Sequence, residues 1–467
     1  MLEFKPINIK NAARLRKYYS RSSYRLGEYS LGVKLMWRHY WRSQWAEVAG
    51  CLMVLNRTRS QGPLFDYPLP LPGVGDVEAA LDAIDRWCAA NGVRPSFGVV
   101  PEEEREQLLS RYPYTTVEVP RIWQDYLYRA EDLSSFAGRR YSGQRNHINK
   151  FRRLYPQARF RPLTREDEEK LEEFWLEFHI GFNKEAAIAK KELCSARKLC
   201  RQIGKSWLKA GCIELDGKII AIALGEVCGN TLVCHVEKAL SQYEGVYPTM
   251  VQAFASAYAG DVEWINREDD AGDRGLRTSK TQYLPADMGK KVCIQVRSEL
   301  DGLKKIPRLE SQRLVLEEIG KADEEAYDRL CLDDERNKWW GYDYKKDLKG
   351  ELTAGYFRRV ARQDFKNRLA VNFAVRLNSV FIGEAVLYAF DCKGGAELGC
   401  RILPEYAGKG YGAEAFRRVA EWSLYELGLY RLVAKCYKEN EASYKMLSAC
   451  MQPKGEDDTF FYFEKKV

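Results

Sequence analysis

The strongest chemical signal is a glycine-rich turn. Ala407-Gly-Lys-Gly-Tyr-Gly412 sets Gly408, Lys409, Gly410, Tyr411 and Gly412 between a strand-like run and a helix-like run. Three glycines let a backbone approach a ligand closely, and amides at a helix start point outward as unpaired donors. That is a cradle for a pyrophosphate, although many glycine-rich turns only save space. Downstream, Asn440, Ser443 and Tyr444 fall at i, i+3 and i+4, on one helix face. A second constellation spans residues 266–280, where Glu268, Asp269 and Asp270 sit close to Arg274, Arg277 and Lys280. Read as a pocket, its acids hold an ammonium and its bases hold a carboxylate or phosphate. Read as a surface loop, it is stapled by ion pairs of about 0–1 kcal/mol each. Third, residues 133–165 carry nine Lys/Arg and no Asp or Glu. Within that run Arg145, Asn149 and Arg152 share one helical face, and Ile148, Phe151 and Tyr155 another.

The remaining 434 residues sum to −1 of the net +8, so the basic excess is local. Nine cations without an anion repel one another, which a merely solvated face avoids by mixing signs. A local anionic partner follows as an expectation, tRNA or another polyanion. A solvated helix face is the plainer alternative. Residues 301–467 carry 29 basic and 28 acidic residues and are nearly neutral. Other chemistries are set aside. The four histidines are far apart, no C-x-x-C pair occurs, and there is neither a G-x-S-x-G elbow nor a P-loop. No metal site is expected.

The 467 residues, 45% apolar and 30% charged, fit about three soluble globular domains. No apolar run approaches the ~18 residues of a membrane span, and the first residues hold no signal-like stretch. A cytoplasmic protein without a membrane span is expected. Thirteen cysteines in such a chain read as free thiols.

The elements that position these residues fall into three modules. Residues 1–130 read as a helix at 11–29, a strand at 47–55, an irregular loop at 61–75, a helix at 77–91 and a strand at 97–100. Residues 131–300 open with the basic helix, then helices at 165–182 and 185–203. Strands follow at 210–215, 218–227 and 231–236, with Asp216-Gly217 as a hairpin turn. A helix at 248–258 and a strand at 262–266 complete the module. After a linker near 301–307 come a strand at 313–317, helices at 324–330 and 348–363, and strands at 372–375, 380–388 and 397–402. The chain closes with a helix at 413–427, a strand at 431–436, a helix at 441–450 and a strand at 460–464. Mixed strands with intervening helices fit an α/β (α+β) sandwich.

Two resemblances follow. Glu310-Ser-Gln-Arg-Leu-Val-Leu316, Ala396-Glu-Leu-Gly-Cys-Arg-Ile402, Pro404-Glu-Tyr-Ala-Gly-Lys-Gly-Tyr-Gly412 and Asn440-Glu-Ala-Ser443 come in order. Together they resemble GNAT-family N-acetyltransferases of the ribosomal-protein alanine acetyltransferase type, over about 306–467. The resemblance implies that acetyl-CoA (CoA) binds with its pyrophosphate on the Gly408–Gly412 amides, with Ile402 among the cofactor-binding residues and Asn440 on the pantetheine side. Ala407 stands where the family has Arg or Gln, which removes one phosphate contact. Acyl transfer to an amine needs a base, an amide donor for the thioester oxygen and an acid for the leaving thiolate. Glu397 is the candidate base, or else an exposed strand glutamate. Ser443 or Tyr444 is the candidate acid, or else a capping or packing residue.

The second set is Asp125-Tyr-Leu-Tyr128, Glu131-Asp-Leu133, Arg145-Asn-His-Ile-Asn-Lys-Phe151, Asn266-Arg-Glu-Asp-Asp270 and Gly275-Leu-Arg-Thr-Ser-Lys280, with Tyr283 and Pro285. It resembles the C-terminal domain of phosphatidylglycerol lysyltransferases, over roughly 1–298. That family is similar to a tandem of two GNAT-like folds related to enzymes that move amino acids from aminoacyl-tRNA. The fold class implied is three GNAT-like acyltransferase modules, each a mixed, mostly antiparallel sheet flanked by helices, at 1–130, 131–300 and 306–467. Tyr243-Glu-Gly-Val-Tyr-Pro248, in the second module's loop position, has one glycine and an acid and is a poor phosphate cradle. The expected activity is acetyl transfer from acetyl-CoA to a primary amine, of a small molecule or a protein N-terminus. The tandem then recognises or acylates a second substrate through Arg145, Asn149, Arg152, Asp269, Asp270, Arg277 and Lys280. Two alternatives stand beside it: aminoacyl transfer from tRNA by the tandem, and a catalytically silent tandem that binds a polyanion or peptide.

Overall fold

Asp216 and Gly217 both take left-handed φ, 48° and 83°, and Leu215 pairs directly with Lys218. This is the two-residue hairpin whose twist matches that of its strands. From such local rules the chain builds three sheets. The computed structural model describes residues 2–57, 62–180, 187–340 and 353–467. In chain order the strands used below are β1 (Gln44–Val48), β2 (Cys51–Arg57), β3 (Pro63–Asp66), β4 (Ser96–Pro101), β5 (Asp125–Arg129) and β6 (Arg159–Pro162). Next come β7 (Lys209–Leu215), β8 (Lys218–Cys228), β9 (Thr231–Ala239), β10 (Trp264–Asn266), β11 (Asp287–Gly289) and β12 (Lys291–Val296). The last are β13 (Leu314–Glu318), β14 (Ala370–Leu377), β15 (Val380–Tyr388), β16 (Gly395–Ile402), β17 (Arg431–Tyr437), β18 (Gln452–Glu456) and β19 (Phe460–Lys466).

The sheets share one plan: an antiparallel meander, one parallel step, then an antiparallel finish. They run β1-β2-β3-β4-β12, β6-β7-β8-β9-β10-β5-β11 and β13-β14-β15-β16-β17-β19-β18. The parallel steps are β3 with β4, β9 with β10 and β16 with β17. Each is bridged by a crossover helix, as parallel neighbours require: α3 (Val77–Ala90), α5 (Val246–Tyr258) and α9 (Tyr411–Glu421). The mixed sheets and flanking helices are those of GNAT-like modules.

In the third sheet the strand after the parallel step is β19, next but one in the chain. In the first sheet that place is taken by β12, from residue 291 onward, and in the second by β5, from residue 125. The tandem therefore exchanges strands, and Met1–Glu106 with Val117–Gln295 forms one compact unit. Gln107–Thr116 with Val296–Val467 forms a second. In the second unit the crossover helix buries Ala415, Phe416, Val419 and Ala420 against one face of the sheet. Tyr327, Leu330 and Phe357 cover the other, packing around Phe381 of β15. No described helix is long and apolar enough to cross a membrane.

Some local expectations shift. The helix expected at 11–29 is α1 (Ala12–Tyr19) alone, and α2 (Leu31–Trp37) follows a turn. The chain breaks because Tyr24 and Tyr29 turn inward against each other, with Tyr24 also against Tyr67. The Tyr24 hydroxyl donates to Glu104 at 2.9 Å. β18 was not expected: its five residues are all exposed and include Pro453 and Gly455, so it has no apolar signature. The helix expected at 348–363 is seen at Tyr356–Lys366, and residues 348–352, like 181–182, 185–186 and Gln61, lie outside the described residues.

Candidate acyl-CoA site and the buried charge cluster of the tandem

β16 pairs with β15 along Gly383–Tyr388, but its parallel pairing with β17 stops after Glu397↔Val433. Beyond that point the two strands part: residues 398–402 stay paired only with β15 and residues 434–437 only with β19, so the edges that face each other are unbridged. At the mouth of this split lies the glycine turn. Gly408 and Gly410 take φ of 74° and 81°, where an L side chain is strained. A Cβ at Gly408 would meet nothing within 4 Å, and one at Gly410 only the Arg313 Nη2 at 3.5 Å. The amides that open α9 therefore face open space, and the residues present fit an anionic phosphate group.

The turn is braced from below. Arg313 donates to the Lys409 carbonyl at 3.2 Å, pairs with Glu414 at 2.7 Å and lies 4.6 Å from the Tyr411 ring. Glu414 also accepts from Ser311. Burial alone would raise its carboxyl, but the Arg313 and Ser311 bonds hold it below the usual range. Lys409 Nζ reaches the Glu405 carbonyl at 3.1 Å.

Glu397 sits at the apex of the split and accepts from the Tyr388 hydroxyl at 2.6 Å across the strand pair. It shares a face with Gly399 and Arg401, while Ile402 lies on the core face beside Gly412, whose added Cβ would be 3.5 Å from the Ile402 Cγ1. Asn440 caps α10 (Glu441–Ser448), its Oδ1 accepting from the Ser443 amide at 3.1 Å. Tyr444 is 40% exposed and packs on Phe461 and Phe463. Arg313 and Tyr388 were not singled out for the site. Arg313 lies inside a motif quoted for the family resemblance, and Tyr388 is found only through strand register.

The second module differs at the same place. Gly245 precedes α5 with φ 81° and ψ 4°, against 81° and 1° at Gly410. The turn is conserved in shape, but its opening is closed by α4 (Ser142–Leu154). A Cβ on Gly245 would collide with the His147 carbonyl oxygen and stand 3.0 Å from the Phe151 Cβ. Lys150 pairs with Glu244 at 2.6 Å. In the first module the helix start is capped by Asp76, whose carboxylate accepts from the Ala79 amide and would repel an anion. Among the described residues, the third module is the one whose glycine turn opens onto free space at this position, with no acidic cap on the helix start.

The basic run is accordingly tied into the fold. Arg140 pairs with Asp132, and Arg161 with Asp167 and Glu214. Arg145 donates to the Phe136 and Gly138 carbonyls. Arg152 donates to Gln252 at 3.3 Å, on the rim of a groove of about 490 Å³ floored by Phe151, Tyr155 and Ile213. Asn149 is exposed on the same helix.

The acids and bases of 266–280 also part company. Asp270 is fully buried and bound by Arg277 at 2.9 and 3.1 Å, by Tyr126 at 2.7 Å and by the Gly272 amide. Burial would raise its carboxyl, but these bonds hold it at about 2. Lys280 donates to the carbonyls of Arg267, Glu268 and Asp269, so its three donors clamp the loop backbone. Asp269 is half-buried, and burial raises its carboxyl.

Asp269 instead belongs to a cluster drawn from distant parts of the chain. Lys291 Nζ lies 2.6 Å from both Glu28 oxygens and 2.9 Å from Asp125. Asp125 also accepts from the Gly27 amide at 2.7 Å and from Asn266 at 2.8 Å. Burial, opposed by Lys291 and reinforced by Asp125, moves the Glu28 carboxyl up to about 7. Alongside, His235 bridges Glu226 at 3.0 Å and Glu268 at 2.9 Å. Burial would lower its pKa, but the two carboxylates push it up to about 9. Glu28, Glu268 and Asp269 are partly exposed above the buried Asp125, Lys291 and His235. Sequence spacing could not reveal this cluster, since Glu28 and Lys291 are 263 residues apart.

Comparison with known proteins agrees with this division. The family described as acetyltransferase (GNAT) domain matches residues 313–450. An uncharacterized N-acetyltransferase, YoaA of Bacillus subtilis (strain 168), is 28% identical over 142 residues, 30% of this chain and 80% of its own. A second from that strain, YnaD, is 30% identical over 129 residues, 26% of this chain and 76% of its own. The crystal structure of a conserved protein of unknown function from Bacteroides thetaiotaomicron VPI-5482 covers 63% of this chain and 99% of its own. It is 26% identical, with a TM-score of 0.56. The GNAT domain makes the protein an acyltransferase that moves an acyl group from acyl-CoA to an amine. The family described as phosphatidylglycerol lysyltransferase, C-terminal, matches residues 20–294, more than half of the chain. The chain belongs to that phosphatidylglycerol lysyltransferase C-terminal family, with a GNAT acetyltransferase domain carried after it.

Proposed function

We propose that the C-terminal domain acetylates a primary amine, of a small molecule or a protein N-terminus, with acetyl-CoA as donor. The observation that carries this reading is the open Gly408–Gly412 turn at the start of α9, beside the split between β16 and β17. Bound there, acetyl-CoA would supply the activated acyl group. The α9 amides and Lys409 hold its pyrophosphate, and the free edge of β16 holds the pantetheine arm, with Asn440 at the far end. Glu397, oriented by Tyr388, accepts the proton released as the amine attacks. A backbone amide of β16 steadies the thioester oxygen. Tyr444 or Ser443, both on α10, returns a proton to the leaving thiolate.

The tandem recognises or acylates a second substrate that is not a CoA ester, because α4 fills the place a pyrophosphate would take. The Glu28–Asp269–Glu268 rim over Lys291 and His235 suits an ammonium group, as an aminoacyl donor from tRNA would present. Exposed cations of 133–165 such as Arg153 support a polyanion there. Without turnover, the same surfaces make a binding module.

Calorimetric titration and thermal unfolding with CoA, acetyl-CoA and bulk aminoacyl-tRNA separate these readings. Ligand at 100 times its Kd adds ~2.7 kcal/mol to the unit that holds it. Acetyl-CoA is expected to stabilise only the transition of the second unit. Absence of any CoA binding refutes the acetyltransferase reading. tRNA affinity that stays flat between 50 and 200 mM salt, or is absent, refutes the polyanion reading.

A further inference from the structure

One wall of the split is unlike the others. Alternate residues of β16 point to opposite faces. On the α9 side, Ala396 and Leu398 are packed against Ala415, Phe416 and Val419, all buried. An acyl group laid along the β16 edge finds no room on that side. On the opposite face Glu397, Gly399 and Arg401 lie across from Tyr388, Val386 and Glu384. Gly399 has no side chain, and the space above it is taken by Trp340, the last residue of α8 (Asp334–Trp340). A Cβ on Gly399 would lie 2.8 Å from the Trp340 Cη2 and 3.1 Å from its Cζ3, so the benzo edge of the indole rests on the strand backbone.

The indole is held in that place by a buried network. The Arg401 guanidinium lies 4.7 Å from the Trp340 ring centroid. Its Nε donates to Glu384 at 2.6 Å, its Nη1 to Asn337 at 2.9 Å, and its Nη2 to the Cys331 sulfur at 3.2 Å. Asn337 in turn donates to the Cys331 carbonyl at 2.7 Å. Arg401 and Glu384 are almost fully buried. The network joins α8 to β16 through Asn337, so the helix that carries the ring cannot leave Gly399 without breaking a buried ion pair's hydrogen-bond network.

Gly399 is two residues beyond Glu397, where the strand pairing ends and the split begins. We propose that Trp340, seated on Gly399, is the specificity-determining residue that limits the donor to a short acyl chain. The inference rests on the acyl-CoA reading of the same split. With the α9 side filled, the acyl chain points to the face that the indole covers. The wall leaves room for an acetyl group and stops each further methylene.

Titration calorimetry on the full chain with CoA and acetyl-, butyryl- and hexanoyl-CoA tests this. The wild type is expected to bind acetyl-CoA at least 10-fold more tightly than hexanoyl-CoA. In Trp340→Ala the longer esters gain ~4-fold for each methylene accommodated, so butyryl-CoA gains more than 10-fold on acetyl-CoA, with the Kd for CoA unchanged. Gly399→Ala works in the opposite sense, because its methyl must displace the ring. It weakens acetyl-CoA relative to CoA at least 5-fold, and does so even if Trp340→Ala fails to fold. The same chain-length profile in the wild type and in Trp340→Ala, or equal weakening of CoA and acetyl-CoA in Gly399→Ala, overturns the role of Trp340. No CoA binding by the wild type overturns the acyl-CoA reading itself.

Discussion

Gly245 and Gly410 have the same backbone conformation in opposite surroundings, which makes them a matched pair. Replacing either by alanine places a Cβ at φ 81°, where left-handed backbone costs an L residue about 1–2 kcal/mol. In Gly410→Ala the nearest neighbour is the end of the flexible Arg313 side chain at 3.5 Å, an ordinary contact. The stability loss stays near that strain, and Tm falls by ~2–8 °C. The new methyl stands where the phosphates would approach the α9 amides. Losing one charge-assisted hydrogen bond costs ~1.5–3 kcal/mol, so the Kd for CoA rises ~10- to 150-fold. In Gly245→Ala the methyl collides with the His147 carbonyl and crowds Phe151, so α4 must move. Overpacking of ~1–3 kcal/mol then adds to the strain, for a total loss of ~2–5 kcal/mol, while CoA binding by the second unit stays as in the wild type. Scanning calorimetry and CoA titration on both variants read the two effects separately. A Kd for CoA within twofold of wild type in Gly410→Ala refutes the placement of the pyrophosphate. A Gly245→Ala that is as stable as Gly410→Ala refutes the claim that α4 closes the second module.

Three further outcomes are expected. Lys291→Met leaves Glu28 and Asp125 without their buried cation, a loss of about 3–5 kcal/mol. Since Glu28 titrates at about 7, it takes a proton at pH 5, so the loss by urea denaturation is smaller at pH 5 than at pH 8; equal losses refute the coupling. His235 is raised to about 9 from an ordinary 6.5. Its contribution to stability is therefore complete below pH 6.5 and lost as pH rises through about 9. His235→Gln should remove that slope from a stability profile between pH 6.5 and 9, and a profile parallel to wild type contradicts the assignment. Glu397→Gln should lower kcat ~10²- to 10⁴-fold in a thiol-release assay while leaving CoA affinity intact; a kcat within threefold of wild type removes Glu397 as the proton acceptor.

Much of the molecule is written in local patterns. The Asp216-Gly217 turn needs positive φ at both positions and received residues that tolerate it. The stripe Phe416, Val419 and Ala420 buries one face of α9, and the glycines at 408 and 410 take the left-handed conformations that open its amides. Period, propensity and turn chemistry are short-range, so the sequence carries them directly. Even Gly245, alone beside Glu244, already signals a poor phosphate site.

Other features came from the tertiary structure alone. The nine cations of 133–165 suggested a partner, but Lys150, Arg161 and Arg140 find their anions within the fold, at Glu244, Asp167 with Glu214, and Asp132. Lys280 and Asp270, adjacent in the sequence pattern to Asp269, are consumed by backbone carbonyls and by Arg277. β5 and β12 complete each other's sheets from across the tandem, and that exchange brings Glu28, Asp125 and Lys291 together. Trp340 lies over Gly399 where Arg401 ties α8 to the strand. Burial sets which charges need partners, and burial follows from how sheets and helices stack. A sequence fixes the charges and the local turns, but whether a cation faces solvent, a carboxylate or a carbonyl is settled only when distant segments pack.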